Sequence, residues 1–384
     1  MDKIYSILEK EYECYIDMLT SLVNIDCKST NIEGVNEVGN ILKEKFQALD
    51  GEYDIETIEQ KNCGNHLLIT KKGKIPGKIL LIGHMDTVFP KGTVEKRSFR
   101  IEGDSAFGPG VSDMKCGITS IYFALKALHN LYEDNMKTIQ VLFNSDEEIS
   151  SINSREYIEK YAGDSEYVLV MEAGRMNGNV VTSRKGISKY ALKVYGKATH
   201  AGGNHHNGCN AIVELSNKVV ALSKLTDYEK QTTINVGIIH GGSASNVVPN
   251  FAEAMIDVRT SSMNEAEKID QEIRGICKKS NVVGTSIVLE GGMKRPPMEK
   301  KEGTEKLYNI IKDIGENMGV CIGETFAGGV SDANFTSCLG IPTIDGLGPV
   351  GGGCHSEREY LDMTSIIPRT GLVVELLSRL SHIQ

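Results

Sequence analysis

The sequence predicts an α/β protein interrupted by a smaller inserted domain, and three observations carry that prediction. Apolar strands alternate with amphipathic helices over the first 180 or so residues, a spacing that favours a doubly wound sheet with helices on its faces. Between residues 187 and 289 the order changes to strand, helix, strand, strand, helix, strand, the split β-α-β-β-α-β arrangement of ferredoxin-like domains. After "GGMKRPPME" the α/β alternation resumes. The expected architecture is a mixed-sheet catalytic domain over residues 1–184 and 295–384, with a ferredoxin-like lid and dimerisation domain at 185–294. A chain of 384 residues is long for one domain and suits two.

The elements follow in order. Ile4, Ile7, Leu8, Tyr15, Ile16, Leu19, Leu22 and Val23 recur at helical spacing with acids between them. This reads as one amphipathic helix and not as a signal peptide. A second helix is expected over 35–49, then strands at 53–58, 66–70 and 78–83. Ile118, Ile121, Tyr122, Leu125 and Leu128 share one side of a helix over 116–131. Strands at 138–145 and 166–171 flank a helix at 154–161. The inserted domain begins with a strand from Ile187. It continues with a helix at 210–223, strands at 232–239 and 251–259, a helix at 264–279 and a strand at 283–289. A helix at 304–318, strands at 320–326 and 342–345, and a helix at 364–380 complete the chain.

Composition narrows the function classes. A net charge of -9 and a pI near 5.6 argue against nucleic acid as the main partner, because phosphate binding needs a basic face. No run of about 18 apolar residues is present, so no membrane span is expected. The nine cysteines are scattered and odd in number, with no C-x-x-C pair. That pattern fits reduced thiols in a cytoplasmic protein.

Acids and histidines collect where strands end or glycine-rich loops begin: "GHMDT" (His84, Asp86), "GPGVSDMKCG" (Asp113), "NSDEEISS" (Asp146, Glu147, Glu148), "VMEAG" (Glu172) and "GGGCHSEREY" (His355). Ligands of open α/β sheets bind just outside the carboxyl ends of the strands. His84 and Asp86 are two apart on a strand and therefore share a face. Each stretch alone has a plainer explanation. Glu147 and Glu148 suit the first turn of a helix, Asp113 a helix N-cap, and His355 a surface loop. Together, two histidines and several carboxylates form a donor set suited to Zn²⁺, Co²⁺ or Mn²⁺, and enough of them for a two-metal site. A nucleotide cradle is a poor alternative. "GPGVSDMKCG" lacks the G-K-[ST] ending, and no G-x-G-x-x-G follows a strand.

Taken in register, "GHMDTVFP", "GPGVSDMKCGI", "SDEEISS", "GKATHAG" and "GGGCHSEREY" resemble the co-catalytic zinc aminopeptidase/carboxypeptidase family. That family includes glutamate carboxypeptidases of the G type, peptidase T, acetylornithine deacetylase and succinyl-diaminopimelate desuccinylase. The resemblance spans nearly the whole chain and implies two zinc ions per chain, with Co²⁺ or Mn²⁺ as substitutes. His84 and Glu172 would hold one metal, Glu148 and His355 the other, and Asp113 would bridge them. Asp86 would accept the spare ring N–H of His84. Glu147 would be the general base toward water activated at the metals. A non-proline cis peptide at Asp113–Met114 is also implied.

In the lid, the resemblance implies that His200 reaches a partner subunit's site and stabilises the oxyanion, which entails a homodimer through that domain. Asn246 and Arg295 would contact the substrate, Arg295 through bidentate pairing with a carboxylate. Asp332 would support the site or touch substrate. His205 and His206 read as solvated loop residues and Arg259 as structural. The implied activity is hydrolysis of an amide or peptide bond next to a free carboxylate, in small peptides or N-acyl amino acids. An N-acyl-amino-acid deacylase of the acetylornithine or desuccinylase type is the alternative within the class. A non-catalytic metal-binding protein is the alternative outside it.

Overall fold

Residues 79–84 are buried in unbroken succession, which requires cover on both faces of their strand. The computed structural model, which describes residues 2–383, supplies that cover. The strand Ile75–His84 lies inside a six-stranded mixed sheet. Its order is Tyr53–Ile58, His66–Lys71, Lys137–Asn144, Ile75–His84, Tyr167–Val170 and Thr343–Ile344. The last four pair in parallel, and His66–Lys71 pairs antiparallel with both of its neighbours. Helices Cys116–Tyr132 and Ile366–His382 pack on each other and on Ile75–His84, while Ile32–Gln47 lies against the first two strands. Leu22, Phe46, Ile79, Leu81, Ile118 and Val373 belong to the one core these elements enclose. Its parallel strands all finish at one edge, so the residues that follow His84, Asn144 and Val170 emerge side by side.

The chain divides into two compact units. One runs up to Ser183 and resumes over Lys300–Phe326 and from Ser331 onward; the other comprises Arg184–Glu299 and Ala327–Val330. The second unit holds a four-stranded sheet in the order Thr233–Gly241, Phe251–Thr260, Gly186–Tyr195, Ser286–Arg295. All of its pairings are antiparallel, as the β-α-β-β-α-β reading predicts. Burial alternates along Phe251–Thr260. Ala252, Ala254, Ile256 and Val258 join the core, and helices Ala211–Ser223 and Met263–Cys277 pack on this sheet. Both helices start on a side-chain cap: Asn210 accepts from the Val213 N–H and Ser262 from the Glu265 N–H.

Several elements differ from the sequence reading. The N-terminal helix is two, Asp2–Lys10 and Tyr12–Val23. The Glu11 N–H closes a tighter turn on Leu8, and the Glu11 carboxylate is drawn to Lys126 at 2.7 Å. The strand expected at 320–326 shrinks to Glu324–Ala327. Val320 is taken up in closing the preceding helix through its N–H to Gly315, and the Gly323 N–H goes to Asn179. A small sheet in the first unit escaped the sequence reading. It is built from Arg100–Glu102, Ser105–Phe107, Tyr360–Asp362 and Gly351–Gly352. By pairing Tyr360–Asp362 with Ser105–Phe107 it sets the loop at 108–113 beside the loop at 353–359. The Asp113–Met114 peptide is cis.

Candidate metal centre

His84 ends its strand, Glu147 and Glu148 lie just past Lys137–Asn144, and Glu172 lies two residues past Tyr167–Val170. Asp113 and His355 arrive on the two loops joined by the small sheet. The carboxylate of Asp113 sits between the histidines, with Oδ1 at 3.1 Å from His84 Nε2 and Oδ2 at 3.2 Å from His355 Nε2. Glu172 Oε1 lies 3.7 Å from His84 Nε2, and Glu148 Oε2 lies 3.1 Å from His355 Nε2. The five side chains thus form two trios that share Asp113. In each trio the ligand atoms lie within 4.8 Å of one another.

The charges of this cluster are unbalanced without a cation. Among the described residues no lysine or arginine pairs with Asp113, Glu148 or Glu172; their ion pairs are with the two histidines. Glu148 Oε1 is buried with no hydrogen-bond partner. His355 is pushed up to about 11 by its hydrogen bonds to Asp113 and Glu148. Burial alone would lower His84, but Asp113, Asp86 and the charge of Glu172 outweigh it and hold the ring well above the usual imidazole range. Burial also acts against the charge on Asp113, yet the two histidines hold it well below the usual carboxylate range. Glu172 is raised by burial and by the nearby Asp113 charge, and Glu148 by burial. Two imidazole nitrogens, a shared carboxylate and two further carboxylates fit a pair of divalent ions of the Zn²⁺, Co²⁺ or Mn²⁺ type.

Asp86 is fully buried and has two tasks. Its backbone oxygen lies 2.9 Å from His84 Nδ1, with its carboxylate at 3.4 Å, so the contact expected of the carboxylate falls mainly to the main chain. The carboxylate accepts the N–H groups of Glu147 and Glu148, each at 3.2 Å, and the Ser29 hydroxyl at 2.6 Å. It therefore anchors the turn that presents Glu147 and Glu148. That turn is a single one, Glu147–Ile149, and not the start of the next helix. Its underside is tied by Asp332, which accepts from Asn144 and Ser151, and by Asp146, which accepts from Asn153 and Ser154.

His200, Asn246 and Arg295 belong to the second unit. His200 is exposed, and its Nδ1 accepts the N–H groups of Gly202 and Gly203 at 3.1 Å. In the neutral ring the hydrogen is then on Nε2, which makes that nitrogen a donor. Asn246 is exposed beside it: its backbone oxygen accepts from Ala201, and Val247 bridges His200. Arg295 is buried at the end of Ser286–Arg295, and Arg259 pairs with Asp257 at 2.7 Å.

Glu359 was missed from sequence. It is buried, and its carboxylate accepts three backbone N–H groups of the loop that ends in Asp113. The only signal was its place four residues after His355, which alone specifies no role. Ser29, which meets Asp86 across 57 positions, left no signal at all.

Residues 80–379 match the profile of peptidase family M20/M25/M40. Carboxypeptidase G2 of Pseudomonas sp. (strain RS-16) is 33% identical over 97% of this chain and 91% of its own length. Acetylornithine deacetylase of Aliivibrio fischeri (strain ATCC 700601 / ES114) is 28% identical over 96% and 98%. A Bacillus subtilis protein described as a dinuclear metal binding peptidase from the M20 family shares the fold at a TM-score of 0.69, with 16% identity over 97% of this chain and 99% of its own. The chain belongs to peptidase family M20/M25/M40 and is a metal-dependent peptidase or amidohydrolase.

Proposed function

We propose that the chain is a di-zinc exopeptidase that cleaves an amide bond next to a free carboxylate, in the manner of a glutamate carboxypeptidase. The observation that carries this reading is the Asp113 carboxylate, which offers one oxygen to each of two histidine–carboxylate sets. His84, Asp113 and Glu172 would hold one ion and Asp113, Glu148 and His355 the other. When bound, such a pair lowers the pKa of water and polarises the scissile carbonyl.

The chain's own residues supply the rest. Glu147, held in its turn by Asp86, takes the proton of the attacking water and passes it to the leaving nitrogen. The His200 Nε2–H acts as donor to the oxyanion developing in a partner subunit's site. Arg295 and Asn246 recognise the substrate's free carboxylate, the guanidinium by its planar fork. The second unit serves as a lid and as the surface of a homodimer. Its edge strand Thr233–Gly241 keeps one ladder side unpaired and exposes Ile238 and Ile239, the kind of edge that pairs with a second copy.

Likeness to carboxypeptidase G2 favours the carboxypeptidase reading over an N-acyl-amino-acid deacylase, for which acetylornithine deacetylase is the relevant relative. The test pairs zinc content with hydrolysis of N-acyl glutamates, dipeptides and acetylornithine by wild type and Glu147→Gln. Two zinc ions in both proteins, with N-acyl glutamate cleaved by wild type alone, is the expected result. Cleavage of acetylornithine only would sink the carboxypeptidase assignment, and full activity of Glu147→Gln would remove Glu147 as the base.

A further inference from the structure

The loop that delivers Asp113 turns through Gly110, whose φ of 75° lies in the left-handed region, where glycine carries no steric penalty. This turn aims three N–H groups at one point. Such concavities of successive amides are built to hold an anion. Here the anion is a side chain: the Gly110 N–H donates to one oxygen of Glu359 at 3.0 Å, and the Ser112 and Asp113 N–H groups donate to the other at 2.9 and 3.0 Å. Glu359 is fully buried and follows His355 by four residues. The next residues, Tyr360–Asp362, pair with Ser105–Phe107, just before the Asp113 loop. Between the same two loops, Cys354 Sγ reaches Ser112 Oγ at 3.9 Å.

A carboxylate placed next to a cluster of carboxylates is electrostatically unfavourable, so packing alone does not account for it. What it uniquely supplies is two acceptor oxygens for three amides, one of them the amide of Asp113 itself. From this we infer that Glu359 is the positioning residue for the shared ligand: it locks the Asp113 loop to the His355 loop and thereby sets the affinity for the metal pair. The inference rests on the proposed reading of Asp113 as the ligand common to both ions.

The test is a zinc titration of metal-free wild type, Glu359→Gln, Glu359→Ala and Asp113→Asn against a chromophoric chelator. Thermal unfolding of the metal-free forms is followed in parallel. Removing a group that orients a ligand typically weakens metal binding about 10–100-fold, and Glu359→Ala is expected in that range. Glu359→Gln keeps an oxygen for Ser112 and Asp113 but turns its amide N–H₂ toward Gly110, so a smaller loss is expected. A loss of affinity in Glu359→Gln with an unfolding midpoint like that of wild type separates positioning from general destabilisation. Should Glu359→Ala fail to fold, the glutamine variant decides. Wild-type zinc affinity in Glu359→Gln, with or without a lowered midpoint, would overturn the inference. Wild-type binding by Asp113→Asn would instead overturn the reading of the site beneath it.

Discussion

Replacing Asp86 with asparagine separates the two tasks of that residue. The main-chain oxygen that faces His84 Nδ1 is untouched, so the ring keeps its 2.9 Å contact. The carboxylate loses one of its two acceptor positions. With the amide oxygen kept on the Glu147 N–H, the new N–H₂ group faces the Glu148 N–H and the Ser29 hydroxyl. The hydroxyl can turn to accept, but the Glu148 amide cannot. A buried donor left unsatisfied costs about 1–3 kcal/mol, which is roughly a 5–150-fold change in an equilibrium that depends on the native turn. The loss should fall mainly on the set that contains Glu148 and His355 and on the placement of Glu147, with a smaller effect on the set around His84, whose Nδ1 lies 3.4 Å from the carboxylate. A stepwise zinc titration should therefore show the two ions weakened unequally, with turnover reduced at saturating zinc. Equal weakening of both ions would mean that the carboxylate acts on His84 as much as on the turn, and that anchoring the turn is not its distinct task.

Two further outcomes follow from the same geometry. His200→Ala is expected to lower kcat by about 10²–10³, the usual cost of one oxyanion donor, with zinc content unchanged; zinc loss would contradict a role in the lid. For the metal-free protein the pH dependence of stability has a definite sign. The imidazole of His355 is raised to about 11 and that of His84 also lies above its ordinary value. Their stabilising contribution is full below the unfolded value of about 6.5 and is lost as pH rises toward the folded values. The raised Glu148 and Glu172 act in the same direction, beginning at lower pH. Thermal unfolding should therefore occur at a lower temperature at about pH 9 than at about pH 6.5, and a flat or rising midpoint would refute the charge assignment.

What the sequence disclosed and what it hid differ by physical type. The sheet was readable because its strands are buried on both faces, and Leu80-Leu81-Ile82 can be little else. The second unit was readable because two amphipathic helices recur between alternating strands, a pattern that one covered sheet face enforces. The proposed ligands stood out because a metal site would need particular donor atoms at strand ends, and few other demands place His84, Asp113, Glu148, Glu172 and His355 there. The supporting contacts did not, although Asp86 itself stood out beside His84, because a carboxylate that binds main-chain N–H groups asks nothing of its partners' identity. Glu359 would bind any residues standing at 112 and 113, and Asp86 any at 147 and 148, so neither leaves a mark beyond itself. The small sheet was invisible for a related reason. Its strands are two or three residues long, too short to show a period, and two of them reach across some 250 positions to find their partners. Yet that sheet, with Glu359, brings Asp113 to His355. The proposed ligands are therefore specified locally in the sequence, while their convergence is specified by main-chain contacts that only the folded chain displays.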